Sequence, residues 1–562
     1  MKTIQHHTDL CVVGGGMAGL CAAIAAARNG IRVVLVHDRP VLGGNASSEI
    51  RMWICGAHGE DNRETGILEE LVLANYYSNP GLKYSLWDSV LYEKVRTCRG
   101  MTLLLNTACF DARSKNGRIQ KVIAWQSNAE TFHEITATVF ADCSGDSVLA
   151  PLTGAEFRIG REGKTEFNES IAPDKADNKT MGMSCLFQVR ETPRKTEFIP
   201  PTWAYRYPDE DALKHKNHTL TSNFWWIETS GEGDPIYDTD ACRDELLKIV
   251  YGVWDHIKNY GDHGADNWEL EWIGFLPGKR ESRRYVGDHI LTQHDVESGG
   301  HFNDVVAYGG WSMDDHFPAG FYHTDGPSTI HHPAPSPWGI PLRSLCSKNI
   351  ENLVFAGRNI SATHTAMSSS RVMGTCAMVG QAVGTAAALA VKSGVGVRAV
   401  DIRKVQKQLL DDDCCLPGRI REVGALARGA GCTAETVRDG IDRGTAHCWL
   451  GAPGDTVTYT FAEETPLKAI RLVFDSNLNR GYQNMPCCYP LEEPRFKIPP
   501  TLMREYKLIL TAADGQELVL HEKENCRRFV CHSVDFAAVS VKLVPLASWG
   551  DKTFRVFGFE PE

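Results

Sequence analysis

The stretch "DLCVVGGGMAGLCAAIAAARNGIRVVLVHDRP", Asp9 to Pro40, decides how the chain folds. "DLCVV" is the unbroken apolar run of a buried strand, "MAGLCAAIAAARNG" is an Ala-rich helix stopped by Gly30, and "IRVVLV" is a β-branched strand. Together they predict a βαβ unit. Gly14, Gly16 and Gly19 satisfy G-x-G-x-x-G at the turn from strand to helix. In that context Gly14 makes the tight turn, Gly16 lets a pyrophosphate approach the backbone, and Gly19 lets helix and strand pack closely. The first turn of the helix, with Met17 and Ala18, offers free N–H groups and the positive end of the helix dipole to the negative charge. About 20 residues after the first glycine such a fold usually places an acid on the ribose. Here the strand ends on His37, Asp38 and Arg39. Two readings stay open: His37 bonds the ribose, or Asp38 and Arg39 reach it from the turn.

Four later segments carry more. They are "DRPVLGGNASSEIRMWICGAHG" (38–59), "ADCSGDSVLA" (141–150), "REGKTEFNESIAPDKADNKTMGMSCLF" (161–187) and "NLVFAGRNISATHTAMSSSRVMGTCAMVGQAVGTAAA" (352–388). With the glycine triplet they resemble the FAD-dependent oxidoreductases of the glutathione-reductase-like superfamily. More narrowly, they resemble the bacterial family whose strand two leaves through "DRP-x-LGGN-[AS]-S-S-E-[IV]-R". The resemblance spans most of residues 8 to 395 and implies FAD as cofactor. It also implies that Gly43, Gly44 and Asn45 lie along the ribityl chain and flavin edge, and that Ser144, Gly145 and Asp146 close over the pyrophosphate side. Gly357, Arg358, Val372, Gly374 and Thr375 are placed by it near the ribityl chain and the flavin's pyrimidine end, and Ser47, Arg51 and Cys109 complete the expected cofactor set. A helix starting near Arg371 to Thr375 would stabilise the negative charge that reduction builds at flavin N1 and O2.

A flavin supplies the two-electron chemistry, so the protein must position a substrate and handle a proton. His364 and Arg371 loosely resemble the substrate-facing His and Arg of the fumarate reductase and succinate dehydrogenase group, although their spacing of 7 residues (371 − 364) is wider than in that pattern. His58, after the Gly-Gly loop, is the third catalytic candidate. Cys55 has no Cys-x-x-Cys partner and is read as packing. The segments "LPGKRESRRYVGDH" and "GGWSMDDHF" bring Lys279, Arg280, Glu281, Arg283, Arg284, Asp314, Asp315 and His316 into an aromatic, polar region suited to a polyhydroxylated ligand. His331 and His332 lack a third ligand at a recognisable spacing, so no metal is expected.

The predicted fold class is α/β: a Rossmann-like FAD-binding domain (1–160 and 331–415) with an inserted α+β cap (161–330) and a C-terminal β-sandwich (430–562). The sandwich resembles galactose-binding-like modules. A net charge of −11 without a basic stripe argues against nucleic acid. No uncharged apolar run long enough to span a bilayer is evident, so no membrane partner is expected. The N-terminus lacks a secretory pattern, and the 18 cysteines read as buried thiols, which together predict a cytoplasmic protein. A second G-x-G-x-x-G is missing, so an external electron acceptor or donor is expected. The expected function is hydride transfer between flavin N5 and a small polar substrate, a carbohydrate or derivative. The alternatives are reduction of an activated C=C bond in an unsaturated acid, and a non-catalytic carbohydrate-binding protein that keeps FAD as scaffold. A homo-oligomer is left open.

Overall fold

The opening βαβ unit forms as its sequence predicts. In the computed structural model, which describes residues 1–481, 484–492 and 497–562, strand β1 (Lys2–Val13) leads into helix α1 (Met17–Arg28) and strand β2 (Val33–Val36). β1 runs parallel to β2 on one side and to β6 (Thr131–Asp142) on the other, and β3 (Met101–Leu104) extends the sheet beyond β2. β4 (Thr107–Lys115) and β5 (Arg118–Gln126) fold back antiparallel toward β6, as their alternation of apolar and polar residues implies. After a long insertion, the strand Leu353–Phe355 returns parallel to β6. The registers Val13↔Val36, Val13↔Asp142 and Phe355↔Asp142 align the carboxyl ends of these strands. The turns at Gly14, His37, Cys143 and Gly357 therefore leave the sheet along one edge, where open α/β sheets bind ligands.

The helix Met373–Ser393 packs on α1, backbone against backbone. A Cβ on Gly380 would lie 2.1 Å from the carbonyl oxygen of Ala18, and one on Gly384 2.1 Å from that of Ala22. These two glycines serve helix–helix approach. The same helix corrects one sequence expectation, because by length and composition alone it could cross a membrane; 89% of its most apolar window is buried inside the structure. Its Ala and Gly residues make it apolar all round, as a fully buried core helix must be.

The insertion carries the α+β cap. Helix Thr239–Asn259 packs Leu246, Val250, Val253 and Trp254 against Phe187, Phe224 and Trp226, with Phe187 and Phe224 stacked at 4.0 Å. Short antiparallel strands, Phe187–Glu191 with Trp268–Ile273 and Met183–Ser184 with Gly278–Lys279, surround it.

The chain divides into two units: Met1–Ala57, Gly81–Val405 and Tyr482–Arg495, and separately His58–Pro80, Gln406–Gly481 and Phe496–Glu562. The second is built on an antiparallel sheet whose longest strands, Val457–Phe474 and Phe529–Ser548, are interrupted by register shifts. It also takes in the helix Ile67–Ser78, which the sequence reading assigned to the FAD-binding domain. The cause is polar. Glu69, 2% exposed, accepts from Arg480 at 2.8 Å, and Arg63 donates to the carbonyls of Arg480 and Gly481 at 2.5 and 2.6 Å. All 18 cysteines are free thiols, but only eight are buried; nine are half-buried and Cys531 is exposed, which corrects the expectation of burial for the whole set.

Replacing Gly384 with Val drives a side chain into backbone that cannot yield. Overpacking of this kind costs about 1–3 kcal/mol, so Gly384→Val should lower Tm by several degrees. Gly396→Ala, with nothing within 4 Å of the new Cβ, should leave it unchanged in the same thermal scan.

Candidate functional site

At the carboxyl edge of the parallel sheet lies a cavity of about 1130 Å³. Gly14 to Ala18 form part of its wall. Gly14 (φ 103°) turns so closely past β6 that a Cβ would stand 2.4 Å from the Cys143 carbonyl oxygen. Gly19 is needed for packing, since its Cβ would meet the Gly14 carbonyl at 1.8 Å, and it does not line the cavity. Gly16 differs from both: a Cβ there would find nothing nearer than Gly44 Cα at 3.8 Å. Gly16 also N-caps α1 without any side-chain cap. The backbone is thus bare where a phosphate group would approach the helix N-terminus.

His37 borders the cavity, but its ring is committed to protein. Gly15 N–H donates to Nδ1 at 3.0 Å, which leaves the proton on Nε2 to bond the Val41 carbonyl at 2.9 Å. The reading in which His37 holds the ribose is therefore corrected: the imidazole braces the glycine turn. Burial, with Arg39 adding to it, pushes its pKa down to about 4. Asp38 and Arg39 line the wall beside it, joined by Glu49, which the sequence reading did not single out. Arg39 Nη1 and Glu49 Oε2 stand 3.5 Å apart, and each is buried without a hydrogen-bond partner.

Gly43, Gly44 and Asn45 line the cavity as expected. The Gly43 N–H donates to Gly15 O at 2.9 Å, and Asn45 Nδ2 donates to the Lys279 carbonyl at 3.1 Å. Ser47 and Arg51 support the wall from behind. Ser47 Oγ donates to Gly44 O, and the Arg51 guanidinium stacks on Trp272 and Tyr84 at 4.3 and 4.8 Å while donating to Gln188. Buried Asp142 accepts from Ser144 and Leu149 N–H groups and from Tyr285 O–H, and so shapes the next turn. That turn presents Ser144, Gly145 and Asp146. Burial opposes the Asp146 charge, but Arg358 and Lys279, at 2.7 and 2.9 Å, hold its pKa down to about 2. Gly357, Arg358, Val372 and Cys109 reach the wall, and burial pushes the Cys109 thiol up to about 12. Gly374 and Thr375 do not reach it; the Gly374 N–H donates to Cys55 O, and Thr375 is fully buried.

Of the three catalytic candidates only Arg371 faces the cavity. His58 is exposed and outside the wall. His364 is buried with Nδ1 2.9 Å from Glu281 and Nε2 3.1 Å from Asp315. Burial disfavours its charge, yet the two carboxylates raise its pKa to about 10, so it is a structural imidazolium. Arg371 donates to the carboxylate of Asp314 at 2.9 Å. From there a buried polar chain runs through His316, 3.3 Å from Asp314 and 2.6 Å from Glu228, to Arg280, 3.3 Å from Glu228. Burial works against both carboxylates; His316 and Arg371 keep Asp314 well below the usual range, and Arg280 with His316 keeps Glu228 lowered. Trp225, Trp311, Asn223 and Trp53 complete this end, and none of them was singled out as a site residue from sequence.

The wall suits a large polar cofactor. Besides Arg39 Nη1 and Glu49 Oε2, the atoms Trp53 Nε1, Asn223 Oδ1, Arg358 Nε and Arg371 Nε belong to wall residues and are buried without a hydrogen-bond partner. Buried polar groups of this kind are costly unless something bonds them.

The His37 pKa carries a pH dependence with a definite sign. The folded ring binds its proton more weakly than an ordinary one near 6.5, so stability is present above about 6.5 and is lost as pH falls toward about 4. FAD release followed by fluorescence should rise over that window, and less steeply in His37→Gln. His6, His133, His263 and His532 are lowered too, but they act equally in both proteins, so the difference isolates His37.

Comparison with known proteins gives a family. The profile described as FAD dependent oxidoreductase matches residues 9–409. Curated relatives match only short segments: a fumarate reductase (cytochrome) of Shewanella frigidimarina is 47% identical over 47 residues, 8% of this chain and 8% of its own length. The alpha subunit of sarcosine oxidase from Corynebacterium sp. (strain U-96) is 58% identical over 41 residues, 7% of this chain and 4% of its own. Among solved structures, a geranylgeranyl bacteriochlorophyll reductase-like protein of Thermoplasma acidophilum covers 73% of this chain and 85% of its own at 12% identity and a TM-score of 0.31. With the profile match over residues 9–409 and a cavity at the sheet's carboxyl edge, the chain belongs to the FAD dependent oxidoreductase family, and FAD is its cofactor.

Proposed function

We propose that the protein oxidises or reduces a small polyhydroxylated substrate, a carbohydrate or derivative, by hydride transfer with the flavin. FAD, when bound, exchanges the hydride at N5. Gly14 to Ala18, Asp38, Arg39, Gly43 to Asn45, Ser144 to Asp146, Gly357, Arg358 and Val372 would hold it, since they form the wall at the carboxyl edge of the sheet.

One observation carries the substrate class. Both arginines in the wall at the cap end are already charge-paired, Arg371 with Asp314 at 2.9 Å and Arg280 with Glu228 at 3.3 Å. A carboxylate substrate would need a surplus cation there. A neutral substrate rich in hydroxyls instead finds fixed donors and acceptors, together with the indoles of Trp53, Trp225 and Trp311 to cover its ring faces.

His331 handles the proton. It lines the cavity, and its Nδ1 lies 3.0 Å from Ser312 Oγ, which leaves Nε2 for a substrate hydroxyl. As hydride leaves the carbon, that nitrogen takes the hydroxyl proton and the C–O bond becomes a carbonyl; the reverse reaction returns both. Removing a general base costs roughly 10²–10⁴-fold in rate.

Anaerobic mixing with a panel of sugars and sugar acids should bleach the oxidised flavin, and His331→Ala should slow bleaching by about 10² or more while leaving bound flavin unchanged. If unsaturated acids reoxidise the reduced protein and no sugar bleaches the oxidised form, the site is a C=C reductase. If neither class reacts, the flavin is a scaffold.

A further inference from the structure

We propose that Glu210, His218, His256 and His263, in the cap, form a closed four-ligand site for a divalent transition-metal ion with the preferences of zinc. Their ligand atoms all lie within 4.8 Å of one another. His256 Nε2 stands 3.1 Å from His263 Nε2 and 3.2 Å from Glu210 Oε1, His218 Nε2 is 3.2 Å from Glu210 Oε2, and His263 Nε2 is 3.5 Å from Glu210 Oε1. A tetrahedral ion with bonds of about 2.0–2.1 Å separates its ligand atoms by about 3.3 Å. Four of the six ligand pairs already stand 3.1 to 3.5 Å apart, and the two between His218 and the other histidines lie within 4.8 Å.

The outer contacts set the tautomers. His256 Nδ1 bonds the Tyr207 carbonyl at 2.7 Å, and His218 Nδ1 bonds the Lys216 carbonyl at 2.6 Å. A carbonyl accepts only, so each Nδ1 carries a proton, and in the neutral ring each Nε2 then turns a lone pair toward the Glu210 carboxylate. Two lone pairs facing carboxylate oxygens repel unless a cation lies between them. Metal-bound histidines are held in this same way, with the far N–H on a carbonyl.

The local fold prepares the cluster. His256 lies in the last turn of helix Thr239–Asn259, where the negative end of the helix dipole favours a cation. Gly261 (φ 75°) brings the chain back so closely that a Cβ there would press on His263 Nε2 at 2.8 Å. His256 is 1% exposed, and His218 and His263 are 14% and 16% exposed. Three imidazoles and one carboxylate suit zinc or a neighbouring first-row ion and reject Mg²⁺, which prefers oxygen. With four protein ligands the site is structural: it ties the 207–218 loop to the helix end and the turn after it. The sequence gives no warning, because the ligands come from two separated segments without a recurrent spacing.

The test uses the flavin-loaded chain, stripped with a chelator and titrated with Zn²⁺ or Mg²⁺ by calorimetry and thermal melting. One Zn²⁺ per chain, a Tm that rises with Zn²⁺ and not with Mg²⁺, and a loss of affinity of at least about 100-fold in the His256→Gln/His263→Gln double variant are expected. Retained flavin absorbance shows that the variant is folded. A stripped wild-type protein that takes up no Zn²⁺, or whose Tm is unmoved by it, overturns the proposal and leaves protonated histidines as what holds the cluster together. Neither readout depends on the redox substrate.

Discussion

Everything at the cofactor end depends on how tightly Gly14 turns past β6. With room for no Cβ against the Cys143 carbonyl, the turn brings β1 and β6 together at their carboxyl ends and directs α1 so that Gly16 faces open space. A side chain at Gly14 or Gly19 would push the helix from the sheet, and the bare N-terminus of α1 would no longer face the cavity. The helix Met373–Ser393 repeats the constraint, pressing Gly380 and Gly384 onto α1's backbone. Steric economy, more than hydrogen bonding, fixes the position of the glycine turn.

The wall itself is held by buried charge. Asp146 with Arg358 and Lys279, Asp314 with Arg371, and Glu228 with Arg280 and His316 all lie in regions where desolvation opposes ionisation. Such pairs gain little net stability over apolar packing, but breaking one leaves an uncompensated charge costing about 3–5 kcal/mol. Their value is positional. Each guanidinium presents a fixed face to the cavity, so its dipoles need not reorganise as charge develops there.

How much of this was legible in the sequence follows from the range of each contact. The βαβ unit, the tight turn at Gly14 and the close packing at Gly19 are local, set by spacing within about thirty residues, and the structure bears them out. His37 was legible as a site residue but not in its role, since an imidazole can accept, donate or do both, and only the Gly15 N–H and the Val41 carbonyl decide which. His364 looked catalytic beside Arg371, yet its partners Glu281 and Asp315 come from distant segments and hold the ring inward. The chain from Arg371 through Asp314, His316 and Glu228 to Arg280 joins four separated stretches, and Glu228 stands in none of the recognisable motifs. The transfer of 58–80 to the C-terminal unit rests on Glu69 and Arg480, whose pairing no local pattern announces.

Flavin content is the most direct test of the site. The wild-type chain, purified and loaded with FAD, should hold one flavin per chain. Gly16→Val places a branched side chain where the pyrophosphate must approach, while leaving the packing of Gly14 and Gly19 intact. That variant should melt as a folded protein and lose FAD by at least about tenfold in affinity. Full flavin occupancy in Gly16→Val would contradict the placement of FAD in this cavity.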